Sequence, residues 1–269
     1  MTVGPPSLVT PSFPPASRRG LVLFGAAVLV AVLVGGRWLA LETAERAWAQ
    51  SVTGGDVYLA GRDLARLVEG LVLLLSVGWG TAHVFYVYRA IGSVQMPRRV
   101  GDLEIVEAVP PQVLLGAVLV CGLLYGVGLA WGTGGLGNEW WRQATLAAAP
   151  PRFGIVDPVL QRDLGYYVGE LPWALARQRY LLAASATATA LVALLYLGIG
   201  SLRFPGGRLT ASPHARGHLG VLLAGLALAL LWGALLDPAA VVAGLHGEAD
   251  RAALAVRVPG AGFLAVIGG

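Results

Sequence analysis

Three histidines offer the sharpest chemistry in this sequence of 269 residues. His214 and His218, in HARGH, would lie one helical turn apart at the start of an apolar run. His83, in GTAHVFY, lies inside another run and about two turns from the same side. Imidazoles near one level in a membrane could hold a metal or a haem. Ionisable groups at such depth are costly and often functional. The same residues also read as solvated headgroup contacts (His214, His218) and as an interhelical hydrogen-bonding group (His83). The second reading is the expected one, so no cofactor is expected.

Acidic residues give a second set. Asp157, Asp163 and Glu170 could form an external site for a divalent cation or a carboxylate pair, but their spacing is not that of a calcium loop. Helix capping and solvation explain them adequately. GTGGLG at 132–137 formally matches the dinucleotide pattern. That pattern needs a strand before it and a helix after it; here an apolar helix precedes it, so a flexible helix exit is expected. No Ser/His/Asp or Cys/His arrangement is readable from spacing, since triads form in space. No catalytic residue is therefore expected. Cys121, the single cysteine, lies in an apolar run and has no internal disulfide partner.

The elements that must position these groups are membrane helices. The chain is 56% hydrophobic and 13% charged, against about 25% charged in a soluble domain. Five apolar runs, at 21–40, 68–90, 112–131, 180–201 and 219–236, each approach or exceed the roughly 20 residues that cross a bilayer. The fold class expected is all-α: a polytopic transmembrane bundle of about five spans, covering 21–236. A Pro-rich flexible tail is expected over 1–20, and AWA at 47–49 lies too far from the first apolar run to be a signal-cleavage site. A short surface helix is expected within 41–66 and a short cytoplasmic connection over 92–111. Residues 237–269 begin with Asp237-Pro238 and read as an external segment or the start of a further span.

All 19 basic residues are Arg, and the net charge is +4. They are spread out with no aromatic-interleaved patch, which argues against nucleic acid as a partner. Arg18, Arg19, Arg89, Arg98, Arg99, Arg203, Arg208 and Arg216 fall on short segments of one side. The positive-inside rule then places the N-terminus in the cytoplasm.

Between the third and fourth runs lies an extramembrane cap, 133–179. Its centre is FGIVDPVLQRDLGYYVGELPW, 153–173. Asp157 reads as an N-cap and Pro158 as a first helical residue; Leu160, Leu164, Tyr167 or Val168, and Leu171 recur at helical spacing. A short interfacial helix is expected, with Pro172 restarting the helix as span four. The pattern FG-x-x-DP-x-x-x-x-D-x-x-YY-x-x-x-LP resembles the signature of a family of large, uncharacterised (UPF-class) bacterial integral membrane proteins. Its positions here are Phe153, Gly154, Asp157, Pro158, Asp163, Tyr166, Tyr167, Leu171 and Pro172. ARGHL at 215–219 fits the same family. The pattern departs at Gly165 and Gly169, where the family usually has bulkier residues. The resemblance implies an N-terminal multi-span block followed by a large extracytoplasmic domain. Only the membrane block is matched, so a fragment or a shortened relative is expected, in the bacterial inner membrane.

Small residues recur at four-residue intervals: Gly122 and Gly126 in the third run, Gly225, Ala229 and Gly233 in the fifth, and ASATATA at 184–190 in the fourth. Such faces let helices approach closely in lipid. The expected partners are therefore the bilayer and other membrane or envelope proteins. The expected role is a non-enzymatic scaffold or assembly subunit. A transporter or channel block is the main alternative, although the spans hold almost no charged residue. A haem- or metal-binding redox subunit is the third.

Overall fold

The computed structural model describes residues 18–91, 99–100, 103–104, 111–137, 139–245, 251–260 and 263. The proposed tail, except for its last three residues, and most of the 92–111 connection lie outside the described residues. The chain divides into two units after Gly61.

The first unit holds helix α1, Arg18–Gln50, a turn, and the first turns of α2, Gly55–Ile91. The apolar run at 21–40 is the first part of α1. Its polar end is a continuation of the same helix: Arg46 bonds Glu42 one turn earlier at 2.5 Å. The Tyr58 hydroxyl bonds Glu45, and its ring meets Trp48 edge-on at 5.8 Å. Gly55 sits where a Cβ would lie 1.7 Å from the Ala49 carbonyl oxygen, so the chain can re-enter a helix at once. The separate surface helix expected within 41–66 is therefore not present. Its residues extend α1 and α2, because charges at helix ends are compatible with one long helix that leaves the apolar zone.

The second unit begins at Arg62. It holds the rest of α2, then α3 (Pro111–Gly132), α4 (Glu139–Ala148), α5 (Leu171–Gly198), α6 (Pro213–Val242) and a helical stretch over 251–260. Two short antiparallel hairpins lie between helices: β1 (Arg99–Val100) with β2 (Leu103–Glu104), and β3 (Leu202–Arg203) with β4 (Thr210–Ala211). A π-helical turn, Tyr166–Glu170, leads directly into α5. Pro172 falls at that junction, where its missing N–H costs little.

Among the described residues four helices are long and apolar enough to cross a membrane: α2, α3, α5 with its π-helical start, and α6. With 22 residues, α3 is about 33 Å long, enough for a hydrocarbon layer of about 30 Å. The fold is thus all-α and polytopic, with the remaining apolar run, 21–40, carried by α1.

Helix ends follow local rules. The glycines of GTGGLG close α3: Gly134 takes φ +76°, its N–H reaches the Trp131 carbonyl at 3.0 Å, and the Gly135 N–H reaches Ala130 at 2.9 Å. Helix α4 follows that turn and no strand precedes it, so the glycine run is a C-cap. Ser212 caps α6, its Oγ accepting from the Ala215 N–H at 3.2 Å. The end of α6 corrects the boundary expected at 237. The helix runs through Asp237-Pro238 to Val242, because Pro238 deprives only the Ala234 carbonyl of its helical partner. Gly244 (φ +72°) then closes it. Asp237 accepts two bonds from Arg257, at 2.8 and 2.9 Å, which tie the 251–260 stretch to α6.

Helix α5 enters each of the three apolar clusters. Ala188, Val192 and Tyr196 pack with Val87, Ala90 and Leu222. Ala176 packs with Val72, Ala130 and Trp140. Leu171 packs with Leu236 and Ala239. Helices α2 and α3 meet through glycine. A Cβ at Gly122 would lie 2.7 Å from Thr81 Cα, and one at Gly126 would lie 2.4 Å from Val77 Cα. On α6, Ala229 is buried, Gly225 faces Ser185 Oγ, and a Cβ at Gly233 would lie 2.7 Å from Gln178 Nε2.

Two alanine substitutions in α3 should therefore have opposite signs. Gly126→Ala should destabilise the detergent-solubilised protein by about 1–3 kcal/mol, since the new methyl meets backbone. Gly128→Ala, with nothing within 4 Å, should be neutral or gain up to about 1 kcal/mol of helix propensity. Thermal unfolding of both variants checks this, and equal effects would contradict the close α2–α3 approach.

Candidate functional site

The signature segment folds around two carboxylates. Asp157 is 6% exposed, and both of its oxygens are occupied. Oδ1 accepts from the Val159 and Leu160 N–H groups at 2.8 and 2.7 Å. Oδ2 accepts from the Arg162 N–H at 3.0 Å and the Tyr167 hydroxyl at 2.7 Å. Asp163 accepts from the N–H groups of Gly165 (2.7 Å), Gly154 (2.8 Å) and Phe153 (3.2 Å). A bridge between Val156 and Asp163 and the Leu164 N–H to Ile155 bond (2.9 Å) close the loop. Gly154 (φ +67°) and Gln161 (φ +56°) supply its left-handed corners.

This geometry corrects one expectation and bears on one candidate site. No helix starts at Asp157; helix begins only at Leu164, because the Asp157 carboxylate caps a single turn and then holds the chain back at Arg162. Asp157, Asp163 and Glu170 are not gathered into one cluster. Four donors fill the acceptor positions of Asp157 and three point at Asp163, while Glu170 is exposed beyond them. Among the described residues no three acid, His or Cys side chains are placed to hold a metal.

The rest of the signature packs this loop down. Leu171 is fully buried, and Tyr166 and Tyr167 meet edge-on at 5.3 Å. Arg162 lies over the Tyr166 ring at 4.1 Å. A Cβ at Gly165 would lie 1.6 Å from the Pro151 carbonyl oxygen, and one at Gly169 would lie 3.0 Å from that of Leu146. The two departures from the family pattern thus sit where backbone from a neighbouring segment leaves little or no room for a side chain.

The histidines come together on the other side of the bundle. His83 Nδ1 and His218 Nε2 are 2.8 Å apart, with rings stacked at 5.1 Å. His218 Nδ1 is 3.0 Å from the hydroxyl of Tyr196, which is fully buried. His214 stacks on Tyr86 at 4.4 Å, with its Nε2 3.4 Å from the Tyr86 carbonyl oxygen. Trp79 meets His83 edge-on at 4.3 Å. Two neutral imidazoles bonded nitrogen to nitrogen share one proton between them, so this pair does not point at a common metal. The bonds form a directional chain, Tyr196–His218–His83. It ends at His83 Nε2, which is buried and has no partner among the described residues. Reversing its direction needs a proton taken up at one end and released at the other, since moving only the two between the groups would leave a tyrosinate and an imidazolium.

Tyr196, Tyr86 and Trp79 escaped the sequence reading as partners of these histidines. The usable signal was Tyr196 itself: a phenol in an apolar run must find a hydrogen-bond partner on a neighbouring helix.

The Asp157 cradle gives a pH dependence with a definite sign. Burial pushes its pKa up, but the Leu160 and Arg162 amides, the Tyr167 hydroxyl and the Val159 amide outweigh that and lower it from 3.8 to about 2. The Gly165 and Phe153 amides lead in lowering that of Asp163. A depressed folded pKa contributes stability above the unfolded value, lost as pH falls through the folded one. Hydrogen-exchange protection of the Val159, Leu160 and Arg162 amides should therefore hold down to about pH 4 and vanish towards pH 2. Asp157→Asn should expose these amides at neutral pH, and unchanged protection in that variant would contradict the cradle.

A UPF0182 protein of Frankia alni is 35% identical over 153 residues, covering 54% of this chain and 14% of the relative. A UPF0182 protein of a Nocardioides species is 27% identical over 230 residues, covering 80% of this chain and 22% of the relative. The chain thus spans less than a quarter of the length of either relative. No solved structure matches it. The model of an uncharacterised protein family matches residues 22–266, across the apolar helices, the carboxylate-centred loop and the histidine pair, and the chain belongs to that family, UPF0182.

Proposed function

We propose that this chain is a non-enzymatic scaffold of the bacterial cell envelope: an inner-membrane helical block, N-terminus in the cytoplasm, on which other membrane or envelope components assemble. The observation that supports it is how little of the spans the chain covers itself. In the most apolar window of α2, α3 and α5, 28% is buried, and in α6 only 17%. On α6, Val221, Leu228 and Leu235 recur every seventh residue and are all more than half exposed. A continuous apolar face of that kind suits lipid or another helix. Ser76, Trp79, Tyr125, Gln178, Tyr180 and Tyr196 are meanwhile engaged in bonds between this chain's own helices. The relatives carry this block within much longer chains, which agrees with an anchoring and positioning role.

A transporter or channel block is the second reading, favoured by the largely buried Tyr196–His218–His83 hydrogen-bonded chain.

Cross-linking separates the two. In a Cys121→Ser background, Leu228→Cys treated with a bismaleimide in native membranes should give adducts of discrete, reproducible mass. The same treatment of Val192→Cys, fully buried in α5, should give none. Absence of any Leu228→Cys adduct would overturn the scaffold reading. If proteoliposomes of the protein then dissipated a pH gradient in a His218-dependent way, transport would replace it.

A further inference from the structure

A groove of ≈ 460 Å³ opens between α2, α4 and α5, within the roughly 300–1,000 Å³ of small-ligand sites. Its walls are apolar, formed by Leu71, Val72 and Leu75 of α2 and by Tyr180 and Leu181 of α5. Arg177 stands in it as well, its guanidinium 5.5 Å from the Trp173 ring and 5.7 Å from the Trp232 ring. Flanking indoles mark the headgroup level of a bilayer and favour a cation between them.

The groove continues into a polar depression of ≈ 380 Å³ that shares Ala144, Trp173 and Arg177 with it and is also lined by Glu170. Glu170 lies seven residues before Arg177, two turns and about 10 Å away along one helix face. Both are exposed, and neither forms an ion pair among the described residues. The two adjoining cavities thus present a carboxylate, a planar cation and an apolar trough, in that order along a single amphipathic molecule.

We propose that this pair of cavities binds one phospholipid with an aminoalkyl-phosphate headgroup, such as phosphatidylethanolamine. The phosphate docks on Arg177, whose guanidinium can bond two phosphate oxygens side by side. The ammonium faces Glu170, and one acyl chain lies along Leu71, Leu75 and Leu181. An anionic headgroup would satisfy Arg177 but set a second negative charge or neutral hydroxyls against Glu170. A quaternary ammonium could not donate a hydrogen bond to that carboxylate.

Native mass spectrometry of the full chain in mild detergent tests this. The probes are phosphatidylethanolamine, phosphatidylglycerol and phosphatidylcholine with identical acyl chains, at equal concentration. The wild type should retain one phosphatidylethanolamine in preference to the other two. Arg177→Gln should lower that retention by about tenfold, the scale of one charge-assisted contact. Glu170→Gln should abolish the preference while leaving phosphatidylglycerol binding intact. Leu71→Trp, at a half-exposed position, should fill the trough and reduce retention of all three lipids. Arg208→Gln, an exposed arginine outside the groove, should behave as wild type. Equal retention of the three lipids by the wild type, or an Arg177→Gln variant that retains phosphatidylethanolamine as the wild type does, would overturn the proposal.

Discussion

Hydrogen bonds between helices, made by isolated polar side chains in an apolar setting, fix the arrangement of α5 among its neighbours. Ser76 of α2 meets the Tyr180 hydroxyl at 2.9 Å, and the Trp79 indole N–H donates to the Ala184 carbonyl at 3.3 Å. From α3, the Tyr125 hydroxyl reaches that same carbonyl at 3.2 Å and Thr187 Oγ1 at 2.8 Å. Towards α6, the buried Gln178 side chain donates to the Ala229 carbonyl at 3.0 Å, and Tyr196 meets His218. In lipid no hydrophobic force brings apolar helices together, so register must come from packing and from bonds like these. Each is worth only about 0.6–2 kcal/mol. Their spread along α5 nevertheless excludes a sliding or rotated helix, which would break several of them at once.

Small residues make those bonds reachable. Gly122 and Gly126 let α3 approach α2 backbone to side chain, and a side chain at 233 would displace the amide of Gln178. The carboxylate loop applies the same logic outside the bilayer. Asp157 and Asp163 satisfy seven donors, six of them backbone N–H groups of the irregular segment 153–165 and one the Tyr167 hydroxyl. Backbone without secondary structure otherwise needs water. The signature of this family therefore reads, in this chain, as a self-contained hydrogen-bonding device that sets how α5 begins.

Much of this was legible in the sequence, and the parts that were not have physical causes. Apolar runs announced the spans because length and apolarity are properties of the run alone. The family likeness was carried by Asp157, Asp163, Tyr167 and their neighbours, which turn out to be bonded to one another. Spacing misled at Asp157, where Leu160 and Leu164 recur as in a helix. A carboxylate with three backbone donors overrides such periodicity, and only coordinates reveal which donors it takes. Pro238 misled for the opposite reason: a proline reads as a stop, yet α6 loses one bond there and continues. The histidine positions were readable as neighbours across helices, but their nitrogen-to-nitrogen bond and its link to Tyr196 depend on helix rotation, which no pattern encodes. Arg177 went unnoticed, and Glu170 was grouped with Asp157 and Asp163, because what Arg177 and Glu170 have in common is a shared cavity lining.

The most direct test of the account is a double-mutant cycle across the α5–α6 contact, with Tyr196→Phe and His218→Leu alone and together, read as unfolding free energy in detergent. If interhelical bonds set the position of α5, the pair should show a coupling of about 0.5–2 kcal/mol. Additive losses, within about 0.3 kcal/mol of zero coupling, would contradict it.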